Sequence, residues 1–85
     1  EAMMEAAATL NLPTKVAATL VASTIEGAGA MLSGADDPPE VLRQQVTSPG
    51  GTTAAALQVL EERGFRISLV EAIRAAARRS GELGA

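Results

Sequence analysis

Apolar residues recur at helical spacing through nearly the whole chain, and short breaking segments divide them into five runs. The sequence shows neither the strict alternation typical of a strand nor an internal repeat. The pattern therefore predicts an all-α fold of about five helices. The predicted helices run from Glu1 to about Asn11, from Pro13 to about Ser33, from a cap at Asp37 to about Gln45, from Thr52 until Gly64 stops it, and from Phe65 to Leu83.

The second predicted helix is apolar on nearly every side. Pro13 suits its first turn, with Asn11 or Leu12 near its cap. Its apolar residues cover more than one face: Val16, Leu20, Val21, Ile25, Ala28, Met31 and Leu32. A helix that is hydrophobic all round is buried all round, and an 85-residue chain has little material to surround it. We therefore expect a second copy of the chain to cover this helix.

Boundary signals are clearest around the third and fourth helices. Asp37, Pro38 and Glu40 combine a cap, a first-turn proline and a carboxylate three residues after the cap. Gly64 stands where a left-handed residue usually ends a helix. These signals place a helix start at Asp37 and a helix end before Gly64.

The composition limits both the core and the chemistry. Apolar residues make up 47% of the chain, yet Phe65 is the only aromatic, so a core of small aliphatic side chains buries little surface. Self-association is the expected remedy for such a small domain. The net charge of −3 argues against nucleic acid. The chain has no cysteine and no histidine, which excludes disulfides and removes the commonest metal ligand and general base; we expect no metal site.

Lys15, Glu26 and several glycines interrupt the most apolar segment. We therefore expect no run that approaches the roughly 20 residues of a membrane helix, and we expect a soluble protein in the cytoplasm. The chain opens in the middle of a helical pattern without an initiator methionine. This start favours a piece of a longer chain.

The segment TSPGGTT, residues 47–53, interrupts the helical pattern. Pro49 fixes φ, and Gly50 and Gly51 permit conformations that other residues avoid. The next helix has unpaired N–H groups in its first turn, and these groups together with the helix dipole attract anions. The segment could therefore hold a small carboxylate or phosphate without any cationic side chain. The alternative is a Pro-Gly turn in which Ser or Thr hydroxyls cap the helix.

Residues 39–61 form the spaced pattern P-x-x-L-x-x-x-V-T-S-P-G-G-T-T-x-x-A-L-x-x-L-E. This pattern resembles the signature of the pyrroline-5-carboxylate reductase family. The similarity continues through Gly64-Phe65-Arg66 to the AIRAAARRSGEL ending, and back to GAGAML and Leu12-Pro13. It covers essentially the whole chain and matches only the C-terminal part of the family.

The resemblance implies a reduction of 1-pyrroline-5-carboxylate to L-proline, the last step of proline biosynthesis, with the substrate at this segment. Ser48, Gly50 and the backbone around Gly51, Thr52 and Thr53 would hold the substrate carboxylate. The Thr53 hydroxyl would meet the ring nitrogen, which makes Thr53 the candidate catalytic residue.

One position departs from the family pattern. Family members often carry a His-Pro pair where this chain has Pro38-Pro39, and an acidic residue commonly precedes that pair. Asp36 or Asp37 could stand in that place. We assign neither a role, because helix capping is the expected function of Asp37.

The resemblance also implies an architecture and a cofactor. Residues 1–85 would be one C-terminal domain, a helical bundle of the 6-phosphogluconate dehydrogenase C-terminal type in which two copies interlock as an obligate homodimer; further assembly into rings stays open. NADPH or NADH would bind to an N-terminal Rossmann domain that this chain lacks, so the fragment alone is expected to be inactive. The alternative is a non-catalytic helical interaction module that shares the fold.

Overall fold

A computed structural model describes residues 1–84 and contains five α-helices, with no strand in that range. The helices are α1 (Ala2–Thr9), α2 (Thr14–Gly34), α3 (Pro39–Gln45), α4 (Thr52–Glu62) and α5 (Phe65–Gly84). The predicted all-α fold of five helices is confirmed. The predicted boundaries hold to within a few residues, and the differences at the helix starts have local physical causes.

Asn11 ends α1 and does not begin α2. Its φ of 62° is left-handed, and its N–H donates to the Ala8 carbonyl at 3.0 Å. The N–H of Leu12 donates to the Ala7 carbonyl at 3.1 Å. These two bonds form a Schellman motif with Asn11 at the position after the cap. The prediction that Asn11 or Leu12 lies near the cap of α2 is therefore wrong.

We expect Asn11→Ala to lower the free energy of unfolding by about 1 kcal/mol, because alanine adopts the left-handed conformation at a cost that asparagine and glycine largely avoid. Asn11→Gly is the matched control and should leave stability nearly unchanged. Urea unfolding at one fixed chain concentration measures both variants. Equal stability of the two variants would contradict the role of φ at this position.

Two helices begin one residue later than the sequence pattern predicts. Pro13 precedes α2, and its carbonyl accepts the Ala17 N–H at 2.9 Å. The Pro38 carbonyl accepts the N–H groups of Val41 and Leu42 at 3.0 and 3.3 Å, so α3 begins at Pro39. A residue that precedes proline avoids the helical region, which keeps Pro38 outside the helix.

Asp37 consequently lies one residue before the position of the helix cap. The prediction that its carboxylate caps α3 is wrong, and the side chain makes no hydrogen bond within residues 1–84. Asp36 and Asp37 are both exposed.

Gly64 connects α4 to α5, as predicted. Its φ of 75° is left-handed, and its N–H donates to the Glu61 carbonyl at 3.2 Å. Its own carbonyl accepts the Ser68 N–H at 3.0 Å and so starts α5. One glycine therefore ends one helix and begins the next.

The chain divides into two units, residues 1–42 and residues 43 onward. In the first unit α1 packs on α2, and Ala7 and Ala17 are buried. In the second unit α4 packs on α5. The 47–53 segment belongs to the second unit and leads directly into α4.

Very little of the apolar surface is buried within one copy. Only Ala7, Ala17 and Leu42 are buried hydrophobic residues in the described part of the chain. The chain exposes 7087 Å², whereas the scaling law for folded monomers gives about 4,700 Å² at a mass of 8.6 kDa. The excess is about 2,400 Å² per chain, and so about 4,800 Å² for two chains, which lies within the total of roughly 2,000–5,000 Å² that obligate interfaces bury.

One helix, Thr14–Gly34, has the length and apolar composition that a membrane span requires. The expectation that Lys15, Glu26 and the glycines would prevent this is therefore wrong, because only these two charged residues interrupt 21 helical residues. A single such helix is weak support for a membrane span, since the core helix of a soluble protein has the same length and composition.

Candidate functional site

The 47–53 segment is held by a tight turn. The Gly51 N–H donates to the Ser48 carbonyl at 3.0 Å, which closes the turn over Pro49 and Gly50. Gly50 has a φ of 71°. Proline at the second position and a positive φ at the third are the signature of a type II turn. The Thr47 hydroxyl donates to the Arg43 carbonyl at 2.5 Å and ties the start of the segment to the last turn of α3.

The two glycines serve different purposes. Gly51 has a φ of −84° and a ψ of 179°, values open to any residue. A Cβ atom there, however, would lie 2.6 Å from the Ser48 Oγ atom. A Cβ at Gly51 would crowd the Ser48 hydroxyl and lie 3.2 Å from the Ser48 carbonyl oxygen, whereas Gly50 is required for its backbone conformation. The prediction that both glycines supply unusual conformations is wrong for Gly51.

The first turn of α4 presents free backbone donors. Its hydrogen bonds begin with the Ala55 N–H, which donates to the Gly51 carbonyl at 3.1 Å. The N–H groups of Thr52, Thr53 and Ala54 precede that bond and have no partner within the helix. No side chain caps them, because the cap residue is Gly51. The Pro-Gly turn of the alternative is thus present, but no side chain caps α4, and the positive end of the helix dipole lies at these N–H groups.

The five predicted site residues lie together around this helix start. Gly51 and Thr53 are half-buried, whereas Ser48, Gly50 and Thr52 are exposed. The hydroxyls of Ser48, Thr52 and Thr53 make no hydrogen bond within residues 1–84. Backbone N–H groups and hydroxyls thus meet at one place, and the segment itself carries no charged side chain.

The sequence analysis did not identify two residues that contribute to the site, Thr47 and Ala54. Thr47 positions the segment through its hydroxyl, and Ala54 supplies the third free N–H group of α4. The rule that the first N–H groups of a helix lack partners would have indicated Ala54. Thr47 lies four residues after Arg43, and a threonine hydroxyl commonly donates to the backbone carbonyl four residues before it. This spacing could have indicated the bond from Thr47 to Arg43.

We expect Gly50→Ala to lower the free energy of unfolding by about 1–2 kcal/mol, because alanine must adopt a left-handed conformation. A Cβ at Gly50 meets no atom within 4 Å, so the cost is purely conformational. Gly51→Ala is the matched comparison and should cost less, because the Ser48 hydroxyl can rotate away from the new methyl group and only a tight contact of 3.2 Å with the Ser48 carbonyl oxygen is left. Urea unfolding at fixed chain concentration measures both. A greater loss for Gly51→Ala would show that the turn is held differently.

Known proteins share both the sequence and the fold of this chain. The profile of the family described as "Pyrroline-5-carboxylate reductase dimerisation" matches residues 1–83. The chain is 42% identical to a pyrroline-5-carboxylate reductase of Synechocystis sp. and 43% identical to one of Arabidopsis thaliana. These matches cover 99% and 98% of this chain, and 32% and 30% of the relatives.

A solved structure agrees with the sequence matches. The crystal structure of Plasmodium falciparum pyrroline carboxylate reductase with NADP bound superposes with a TM-score of 0.90 at 31% identity. The superposition covers 99% of this chain and 33% of that one. The chain therefore spans about a third of the length of its relatives and corresponds to their C-terminal part.

The fold, the exposed apolar helices and these matches define a helical self-association domain. The chain belongs to the pyrroline-5-carboxylate reductase dimerisation family. The family resemblance and the helical class expected from the sequence are confirmed.

Proposed function

We propose that this chain is the dimerisation and substrate-loop domain of a pyrroline-5-carboxylate reductase that converts 1-pyrroline-5-carboxylate to L-proline. The observation that carries the proposal is the open start of α4, where free N–H groups meet the half-buried Thr53. A carboxylate on a small ring suits this arrangement, because the donors and the helix dipole complement its charge and no cationic side chain is needed.

In the proposed site, the domain contacts two groups of the substrate, the carboxylate and the ring nitrogen. The carboxylate is held by the N–H groups of Thr52, Thr53 and Ala54, with the Ser48 hydroxyl beside them. In the full-length enzyme, bound NADPH or NADH would supply the hydride to the carbon of the C=N bond, and the ring nitrogen would take a proton to give the amine. The Thr53 hydroxyl contacts this nitrogen and orients the ring.

The cofactor would bind outside this chain. The neighbouring Plasmodium structure is described with NADP bound, and this chain matches only about a third of it. The sequence offers no strand followed by a glycine-rich turn, the arrangement that dinucleotide-binding folds use. We propose that the 85 residues alone bind no nicotinamide cofactor and have no reductase activity.

The proposed state of the chain is an obligate homodimer in the cytoplasm. A second copy covers the apolar surface that one copy leaves exposed, including the helix that by composition alone could span a membrane. The net charge of −3 disfavours nucleic acid as a partner. The alternative function is a non-catalytic interaction module, in which the start of α4 would hold no ligand.

Backbone NMR shifts of the 85-residue chain separate the two functions. We expect L-proline to shift the amide signals of Thr52, Thr53 and Ala54, because its carboxylate accepts hydrogen bonds from those groups. Pyrrolidine, the same ring without a carboxylate, is the matched control and should leave these signals in place. NADPH should leave the whole spectrum unchanged.

Absent shifts with millimolar L-proline, or equal shifts with pyrrolidine, would support the non-catalytic module. Specific shifts with NADPH would show that the cofactor site does not lie outside this chain.

A further inference from the structure

The side chain of Thr47 attaches the 47–53 segment to the end of α3. The Thr47 hydroxyl donates to the Arg43 carbonyl at 2.5 Å. The Thr47 N–H donates to the Gln44 carbonyl at 3.2 Å, and the Arg43 carbonyl also accepts the Val46 N–H at 3.2 Å. The hydroxyl therefore occupies the place on the Arg43 carbonyl that the Thr47 N–H would take if the α-helix continued. Thr47 is half-buried, whereas residues 48–50 are exposed.

The last turn of α3 lies beside the two helices that follow the segment. The Arg43 side chain lines an apolar groove between α4 and α5, together with Leu57 and Phe65. Within residues 1–84, no other side chain of the segment makes a hydrogen bond. The Thr47 hydroxyl is thus the side-chain group that fixes the start of the segment relative to the rest of the second unit.

We propose that Thr47 is a positioning residue for the reductase reaction, whose hydroxyl holds the segment in the conformation that binds the substrate carboxylate. This role rests on the proposed function of the segment, and Thr47 itself would not touch the substrate. In the proposed site the Ser48 hydroxyl precedes the turn that the Gly51 N–H closes, and the N–H groups of Thr52 and Thr53 follow it. These donors converge on one carboxylate only when the start of the turn is fixed relative to α4.

Loss of the Thr47 hydroxyl would raise KM and leave kcat nearly unchanged. Without its bond the segment would also occupy other conformations, and the apparent affinity falls in proportion to the fraction of molecules that are competent to bind. Bound substrate would restore the competent conformation through its own hydrogen bonds. A change that weakens the binding of substrate and transition state equally raises KM and leaves kcat as it was.

Steady-state kinetics of the full-length reductase that carries this domain tests the role. Thr47→Val removes the hydroxyl and keeps the shape of the side chain, whereas Thr47→Ser keeps the hydroxyl and removes the methyl group. Thr24→Val is the matched control, because the Thr24 hydroxyl makes the same kind of bond, to the Leu20 carbonyl at 2.7 Å, in the interior of α2. Light scattering checks that each variant keeps the mass of the wild-type enzyme.

We expect Thr47→Val to raise the KM for 1-pyrroline-5-carboxylate about three- to tenfold, the range that one net hydrogen bond gives. The KM for the nicotinamide cofactor should not change, because the cofactor would bind outside this chain. Thr47→Ala, which also lacks the hydroxyl, should show the same rise, and it replaces Thr47→Val if that variant does not fold. Thr47→Ser and Thr24→Val should keep the wild-type values.

A wild-type KM for the variants without the Thr47 hydroxyl would overturn the proposal. An equally raised KM for Thr47→Ser would assign the effect to the methyl group and would overturn it too. A lower kcat with unchanged KM, or an equal rise in the KM for the cofactor, would show that the change affects the enzyme as a whole, which also contradicts the role. A wild-type enzyme without reductase activity would instead contradict the proposed function.

Discussion

Replacement of Thr53 by alanine in the full-length reductase that carries this domain is expected to lower kcat/KM about ten- to a hundred-fold. In the proposed site the substrate carboxylate is held by backbone N–H groups, which a side-chain change would leave largely intact. In the proposed reaction the ring nitrogen would gain a proton as the hydride arrives and would need a placed polar partner. Loss of one such hydrogen bond costs roughly 1.5–3 kcal/mol. Steady-state kinetics measures the effect.

Two variants serve as controls for this result. Ser48→Ala should have a smaller effect, because Ser48 is exposed and in the proposed site only assists the backbone donors. Glu62→Ala should have none, because Glu62 is exposed and only accepts a hydrogen bond from Gln58 within the same helix. Thr53 lies in the first turn of α4, so its variant should keep the dimeric mass. Wild-type kcat/KM for a dimeric Thr53→Ala enzyme would refute the assigned role.

Leu20→Asp is expected to abolish the dimer and most of the helical signal of the isolated chain. The Leu20 side chain is 50% exposed in one copy and lies on α2, the helix that the proposed second copy would cover. Loss of a buried leucine costs about 2–5 kcal/mol. A loss of about 3 kcal/mol from each of two chains raises the dissociation constant by roughly 10⁴-fold. Because little is buried within one copy, dissociation should also unfold it.

Thr19→Asp is the matched control, with the same charge placed on the next residue. Thr19 lies four residues after Lys15, on the side of α2 that carries both of its charged residues, and the new carboxylate can pair with Lys15. Light scattering and circular dichroism of the two variants at equal concentration measure the difference. A folded Leu20→Asp dimer would show that Leu20 lies outside the interface.

The helices were predictable because their signals are local. Apolar spacing, Gly64 and the breaking segments each act within a few residues, and all five helices appear where they indicate. The starts of α2 and α3 lie one residue later than the sequence pattern predicts, because a proline can occupy the first turn of a helix or the position just before it. At Pro38-Pro39 the restriction on the residue before a proline decided the position. Asn11 adopts the left-handed conformation after the end of α1, at a position where glycine is the usual residue.

The candidate site was predictable in kind but not in detail. The free donors at the start of α4 follow from any helix that lacks a capping side chain. The need for Gly51 depends on how the Ser48 hydroxyl folds back over the turn, and the bond from Thr47 depends on how α3 ends. Such contacts depend on the three-dimensional positions of the residues, so residue spacing alone does not predict them. The apolar groove between α4 and α5, which is lined by Leu57, Leu60 and Phe65 among others, is likewise a product of packing between two helices.

The molar mass of the 85-residue chain in solution tests the central claim most directly. At micromolar concentration, light scattering should give twice the chain mass of 8.6 kDa, about 17 kDa, with full helical circular dichroism. The reason is that one copy exposes far more total surface than a folded monomer of this size retains and has only three buried hydrophobic residues among those described. A well-folded, fully helical monomer of 8.6 kDa would contradict the account.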